Sequence, residues 1–81
     1  MLEQLSAGEK ALGVKQSRKA IQDKRAALVF LAKDADPALV EPIRQLCVEQ
    51  GVEICQQYDM RQLGAAGGIR VGAAVAVLLK N

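Results

Sequence analysis

Two uninterrupted apolar runs, residues 27–32 (ALVFLA) and 73–79 (AAVAVLL), constrain this chain more than any other feature. Each is too short to be a buried helix, and the first is bounded by charges, so each reads as a strand. A strand without a polar face needs cover on both sides, which is the situation of a sheet enclosed between helices. The rest of the chain must therefore supply two helical layers out of 81 residues.

The intervening segments meet that demand. Residues 2–8 read as a short helix with Leu2 and Leu5 as its apolar pair, and residues 10–14 as a brief extended piece. Residues 15–24 read as a helix: at about 100° per residue, Ser17, Ala20 and Ile21 share one face, and Lys15, Arg18, Lys19 and Gln22 the opposite one. Asp36-Pro37 has the form of an N-cap followed by a first helical residue. Leu39, Val40, Ile43, Leu46 and Cys47 then recur at helical spacing up to Gly51, a C-terminal stop, with Pro42 inside the helix. Residues 52–55 read as a shorter strand, and Asp59 can cap a helix running to Ala66, closed by Gly67-Gly68. Residues 69–72 are a loop. The expected fold class is α/β, a three-layer α/β/α sandwich around a small four-stranded mixed sheet, in one domain over residues 1–81.

Composition narrows the chemistry. The core is aliphatic, with Phe30 and Tyr58 as the only aromatic residues. There is no histidine, so no Ser-His or Cys-His nucleophile exists and no imidazole can move protons near neutral pH. Cys47 and Cys55 make neither a disulfide framework nor a metal-ligand spacing and read as small buried apolar side chains. No catalytic residues, metal or cofactor are expected, and no membrane span. With no signal pattern and no span, a cytoplasmic protein is the expectation, and a monomer because no spare apolar helix face is evident.

Charge points to a partner. Between Lys10 and Arg25 there are six basic residues and one acid, a local balance of +5, in a chain whose net charge is +2. This positive segment contains Gly13-Val14-Lys15-Gln16-Ser17-Arg18-Lys19. A glycine there lets backbone approach a ligand, and first-turn amides with the helix dipole favour phosphate. Lys15 and Lys19 add charge one turn apart, and Gln16 offers an amide able to donate and accept at a base edge. A solvated helix face would carry the same charges, so this segment alone decides nothing. The glycine-rich stretch 63–72 is no phosphate-binding loop: it leads from helix to strand and lacks the Lys-Ser/Thr. It does present Ile69 and Val71 on either side of Arg70, aliphatics that could cradle an unstacked base. Asp34-Ala35-Asp36-Pro37 has the spacing of a phosphatase nucleophile motif, but turn-and-cap chemistry accounts for it in so short a chain.

Together and in this order, the three segments resemble the large-subunit ribosomal protein L7Ae family of kink-turn RNA-binding proteins, in its small bacterial branch. That family carries Gly-Thr-Asn-Glu-x-x-Lys at its RNA-binding helix, where this chain has Gly13 to Lys19. It carries Asp-x-Asp-Pro after a strand, here Asp34 to Pro37, and Leu-Gly-x-Ala-x-Gly-Ile-x-Val before the last strand, matched at every fixed position by Leu63 to Val71. Val14, Lys15 and Gln16 depart from the family's threonine, asparagine and glutamate. Gln16 accepts without charge, which weakens its bond to a guanine N–H relative to a carboxylate.

The resemblance implies RNA binding through Gly13, Val14, Lys15, Gln16, Arg18 and Lys19 on the helix and Ile69, Arg70, Val71 and Gly72 in the loop. The implied partner is structured RNA containing a kink-turn, whether ribosomal RNA, a riboswitch or another RNA. The alternative is a ribosome-associated structural or interaction protein that meets RNA phosphates without kink-turn specificity.

Overall fold

The computed structural model describes residues 2–80; the terminal residues of the expected 1–81 domain lie outside the described span. The element order is α1 (Leu2–Ala7), β1 (Lys10–Leu12), α2 (Val14–Gln22), β2 (Ala26–Leu31), α3 (Pro37–Gln50), β3 (Ile54–Cys55), α4 (Met60–Ala66) and β4 (Val75–Leu79). The strands form one mixed sheet in the order β1-β4-β2-β3. β4 is antiparallel to both β1 and β2, while β3 runs parallel to β2 after the α3 crossover. α2 packs with α3, and α1 with α4, so the sheet lies between two helical layers. This is the expected sandwich with its four-stranded mixed sheet.

The two apolar runs occupy the two inner strands. Val29, Phe30 and Leu31 of β2 and Val75, Ala76 and Val77 of β4 are fully buried. Ala27 is the exception in its run: a register irregularity between Ala26 and Leu28 leaves it exposed. The Phe30 and Tyr58 rings meet at 6.3 Å in a tilted arrangement. From the helices, Leu5, Ile21, Ile43, Cys47 and Leu63 close the core.

Local chemistry explains the helix boundaries. Asp36 accepts from the Ala38 N–H at 2.9 Å, and Pro37 follows as the first helical residue. At α4, Asp59 accepts from the Gln62 N–H and the Gln62 side chain accepts from the Asp59 N–H, a complete capping box. Three helices end alike. The N–H groups of Val52, Ile69 and Arg25 reach back to the carbonyls of Cys47, Gly64 and Ala20, with Gly51, Gly68 and Lys24 in the left-handed conformation. Lys24, at φ 60°, stands where the other two helices use glycine.

Several expectations need correction: Val14 opens α2 and does not end the first extended piece, and Val52 and Glu53 lie outside β3. The second helix spans Val14–Gln22, because Lys24 leaves helical geometry two residues past its last turn. The final strand begins at Val75, because the Ala73 N–H is taken by the Met60 carbonyl. Leu39, although in register with the apolar face of α3, is 46% exposed.

Candidate nucleic-acid interface

The start of α2 is unlike the starts of α3 and α4. Its N-cap is Gly13, at φ 90° and ψ 163°, with no side-chain cap. That conformation is open essentially to glycine alone. It is adopted while the Gly13 N–H donates to the Val75 carbonyl at 2.9 Å, continuing the β1–β4 ladder by one bond past Leu12. A Cβ at Gly13 would meet nothing within 4 Å, so the glycine is required by backbone conformation and not by crowding. The first-turn amides are thus left without a side-chain acceptor from the protein.

Ser17, Ala20 and Ile21 are buried as the periodicity predicts, which turns Lys15, Gln16, Arg18 and Lys19 outward. The Ser17 hydroxyl is buried without a hydrogen-bond partner. Among the described residues, no carboxylate lies within ion-pair distance of Lys15, Arg18, Lys19 or Arg25; the described salt bridge is Arg44–Glu41 on α3. Lys15, Gln16, Arg18 and Lys19 border a groove of about 480 Å³ that continues past Ala20 and Gln22 to Arg25 and Leu79.

The loop 69–72 is held from its backbone. The Ile69 N–H bonds the Gly64 carbonyl and the Ala73 N–H bonds the Met60 carbonyl, each at 3.0 Å. Between these anchors the chain lies directly on α4: a Cβ on Gly64 would overlap the Val71 carbonyl, and one on Gly72 would press on the Met60 Cβ. This close approach leaves the side chains free. Val71 is 71% and Ile69 38% exposed, with Arg70 exposed between them. They edge a second concavity of about 510 Å³, shared with Asp34, Met60 and Arg61.

Asp34 and Asp36 are both committed to the scaffold. Asp36 caps α3, and Asp34 Oδ1 accepts from the Met60 N–H at 2.8 Å, fixing the start of α4 under the loop. The spacing that resembled a nucleophile motif is turn-and-cap chemistry. Burial pushes the Cys47 thiol pKa up, against a weaker opposing pull from Arg44. Among the described residues there is no cluster of three or more His, Cys, Asp or Glu that could hold a metal, and no helix long and apolar enough to cross a membrane.

The helix start and the loop leave the sheet at the same end. Besides the Gly13–Val75 bond, the Leu12 side chain lies against Gly67, where a Cβ would come within 2.6 Å of it. Of the ten residues named from the sequence, Lys15, Gln16, Arg18 and Lys19 line the first concavity and Ile69, Arg70, Val71 and Gly72 the second, with no lining residue shared; Gly13 and Val14, at the helix start, line neither. Sequence reasoning did not name Arg25, Met60 or Arg61 as lining residues. Arg25 lay inside the basic segment, but the two residues on α4 left no signal in the pattern.

Comparison with known proteins gives this end a context. Residues 2–81 match the model of the Ribosomal protein L7Ae/L30e/S12e/Gadd45 family. An RNA-binding protein of Bacillus pumilus is 45% identical over 69 residues, 84% of each chain. One from Caldanaerobacter subterraneus is 40% identical over 68 residues, 84% of this chain and 83% of its own. The solved structure of a 15.5 kD RNA-binding protein from Giardia lamblia superposes with a TM-score of 0.91 at 27% identity, over 99% of this chain and 71% of that one.

Proposed function

The chain belongs to the Ribosomal protein L7Ae/L30e/S12e/Gadd45 family, and from that premise we propose that it recognises and stabilises kink-turns in structured RNA. RNA binding is the function its relatives' names carry. Kink-turn selectivity rests on one observation above all. The Gly13–Val75 bond puts an uncapped cationic helix start and a loop bearing exposed aliphatics at the same end of the sheet.

Regular RNA helices hide their base edges in a deep, narrow groove, so a protein reads them where they are distorted. A kink-turn supplies the distortion, with a bulge, sheared G·A pairs and a sharp bend. In this reading α2 enters the opened groove tip first. Lys19 donates to a guanine edge, and Gln16 accepts from a guanine N–H or donates to an acceptor beside it. Lys15 and Arg18 neutralise phosphates, and the backbone of Gly13 and Val14 lies along the strand. Ile69, Arg70, Val71 and Gly72 receive the base expelled from the bulge, with the aliphatics against its face and the guanidinium over or beside it. Binding only the bent form shifts the RNA population towards it. The RNA is ribosomal, a riboswitch or another structured RNA, and the protein acts as a cytoplasmic monomer. Leu39 and Val48, both exposed, lie on opposite sides of α3 and form no common apolar stripe.

The test is a titration of two RNAs that differ only in the G·A pairs, one with them and one with Watson–Crick pairs. The kinked RNA should bind at least about tenfold tighter, the equivalent of one or two good base contacts. Lys19→Ala should remove most of that preference and flatten the salt dependence. Equal affinity for both RNAs would reduce the interaction to phosphate attraction, which is the alternative reading.

A further inference from the structure

The groove beside α2 does not stop where the kink-turn reading needs it to. It continues along the helix, over a floor that includes the small or apolar side chains of Ala11, Ala20 and Leu79, to Arg25 at the far end. Arg25 is not on the helix. It is brought there by the chain reversal at Lys24, in which the Lys24 N–H bonds the Ile21 carbonyl at 3.0 Å and the Arg25 N–H bonds the Ala20 carbonyl at 2.9 Å. The Arg25 carbonyl in turn accepts from the Lys80 N–H at 2.7 Å, locking the residue to the end of β4. The guanidinium thus projects from a backbone pinned on both sides, and no carboxylate among the described residues neutralises it.

We propose that Arg25, with Arg18 ahead of it, forms a phosphate track for one RNA stem flanking the kink, separate from the tip that reads the kink itself. The proposal rests on the RNA-binding reading above. A ribose-phosphate strand fits such a groove: its sugars meet the apolar floor while its phosphates meet cations along the rim. The nine residues of α2 extend about 13 Å, room for on the order of three or four nucleotides of one strand. Such contacts position the RNA and carry no sequence information. The side chain involved is exposed, so replacing it leaves the pinned backbone and the core intact.

The experiment compares the wild type with Arg25→Gln and Arg25→Lys on a kinked RNA with two long stems, and on two RNAs each trimmed of one stem. Arg25→Gln should lower affinity for the full RNA about threefold or more near 0.1 M salt and flatten the slope of log K against log salt by about 0.7–0.9, one phosphate's share. Arg25→Lys should restore the slope. One of the trimmed RNAs should be indifferent to the Arg25→Gln change. An unchanged slope on the full RNA, or an undiminished Arg25→Gln effect on both trimmed RNAs, would overturn the track. The two readings fail separately. Equal wild-type affinity for kinked and fully paired RNA would end kink-turn selectivity, yet an Arg25→Gln slope change on both would keep the track.

Discussion

α2 and α3 obey opposite capping rules. α3 starts on Asp36, whose carboxylate accepts an orphan amide, and ends on Gly51 in the left-handed conformation that glycine tolerates best. α2 starts on a glycine with no side chain to offer and ends with a lysine in that same left-handed conformation. α4 sides with α3, using Asp59 in front and Gly68 behind. The helix that forgoes stability at both ends also carries Lys15, Arg18 and Lys19, with no carboxylate at ion-pair distance among the described residues. At its start the reason is geometric. The Gly13 N–H extends the ladder to Val75, and the φ and ψ of that residue, open to glycine, then turn the chain into α2; the amides left uncapped are open to an outside acceptor such as phosphate.

The largest effect should come from the helix that holds the loop. Gly64→Ala would drive a methyl group into the Val71 carbonyl, so either the loop lifts or α4 moves. Chemical denaturation should show a loss of about 2–3 kcal/mol, the upper range for overpacking, together with a drop in RNA affinity. A variant as stable as the wild type would mean that the loop is not seated by that contact. Next comes the uncapped start. Gly13→Ala has open space around its new methyl yet should cost about 1–3 kcal/mol, because its φ and ψ suit glycine alone. Finding no loss in a thermal melt would show that the α2 start is free to adopt an ordinary cap. The smallest effect has the opposite sign. Lys24→Gly should raise stability by up to about 1 kcal/mol, since glycine occupies the left-handed region without the Cβ penalty. Its effect on kinked-RNA selectivity should be nil, and a fall in selectivity would move Lys24 into the recognition surface.

Much of this architecture was legible before any coordinates. Asp36-Pro37, Asp59 and the glycines at 51 and 67–68 punctuate helices by local chemistry that needs no tertiary partner. The same is true of the buried stripe Ser17, Ala20 and Ile21, which follows from helical period alone. The misreadings have a common source. Lys24 is a good helix former in a stretch with no glycine stop, so local propensity carried the helix too far. Ala73 and Ala74 continue an apolar run, and nothing in that run reveals that the Ala73 amide is claimed by Met60.

The sequence by itself determined which segments are strands and helices, where most helices begin and end, and that positive charge gathers on α2. Tertiary structure alone decided that β1 pairs with β4, that Leu12 rests on Gly67, that the loop lies on Gly64, and that Arg25 turns back into the α2 groove. The division has a physical basis. Caps, periods and charge act among residues a few positions apart, whereas a strand's neighbour and a loop's seat are chosen by packing between segments remote in the chain. No local pattern records those choices.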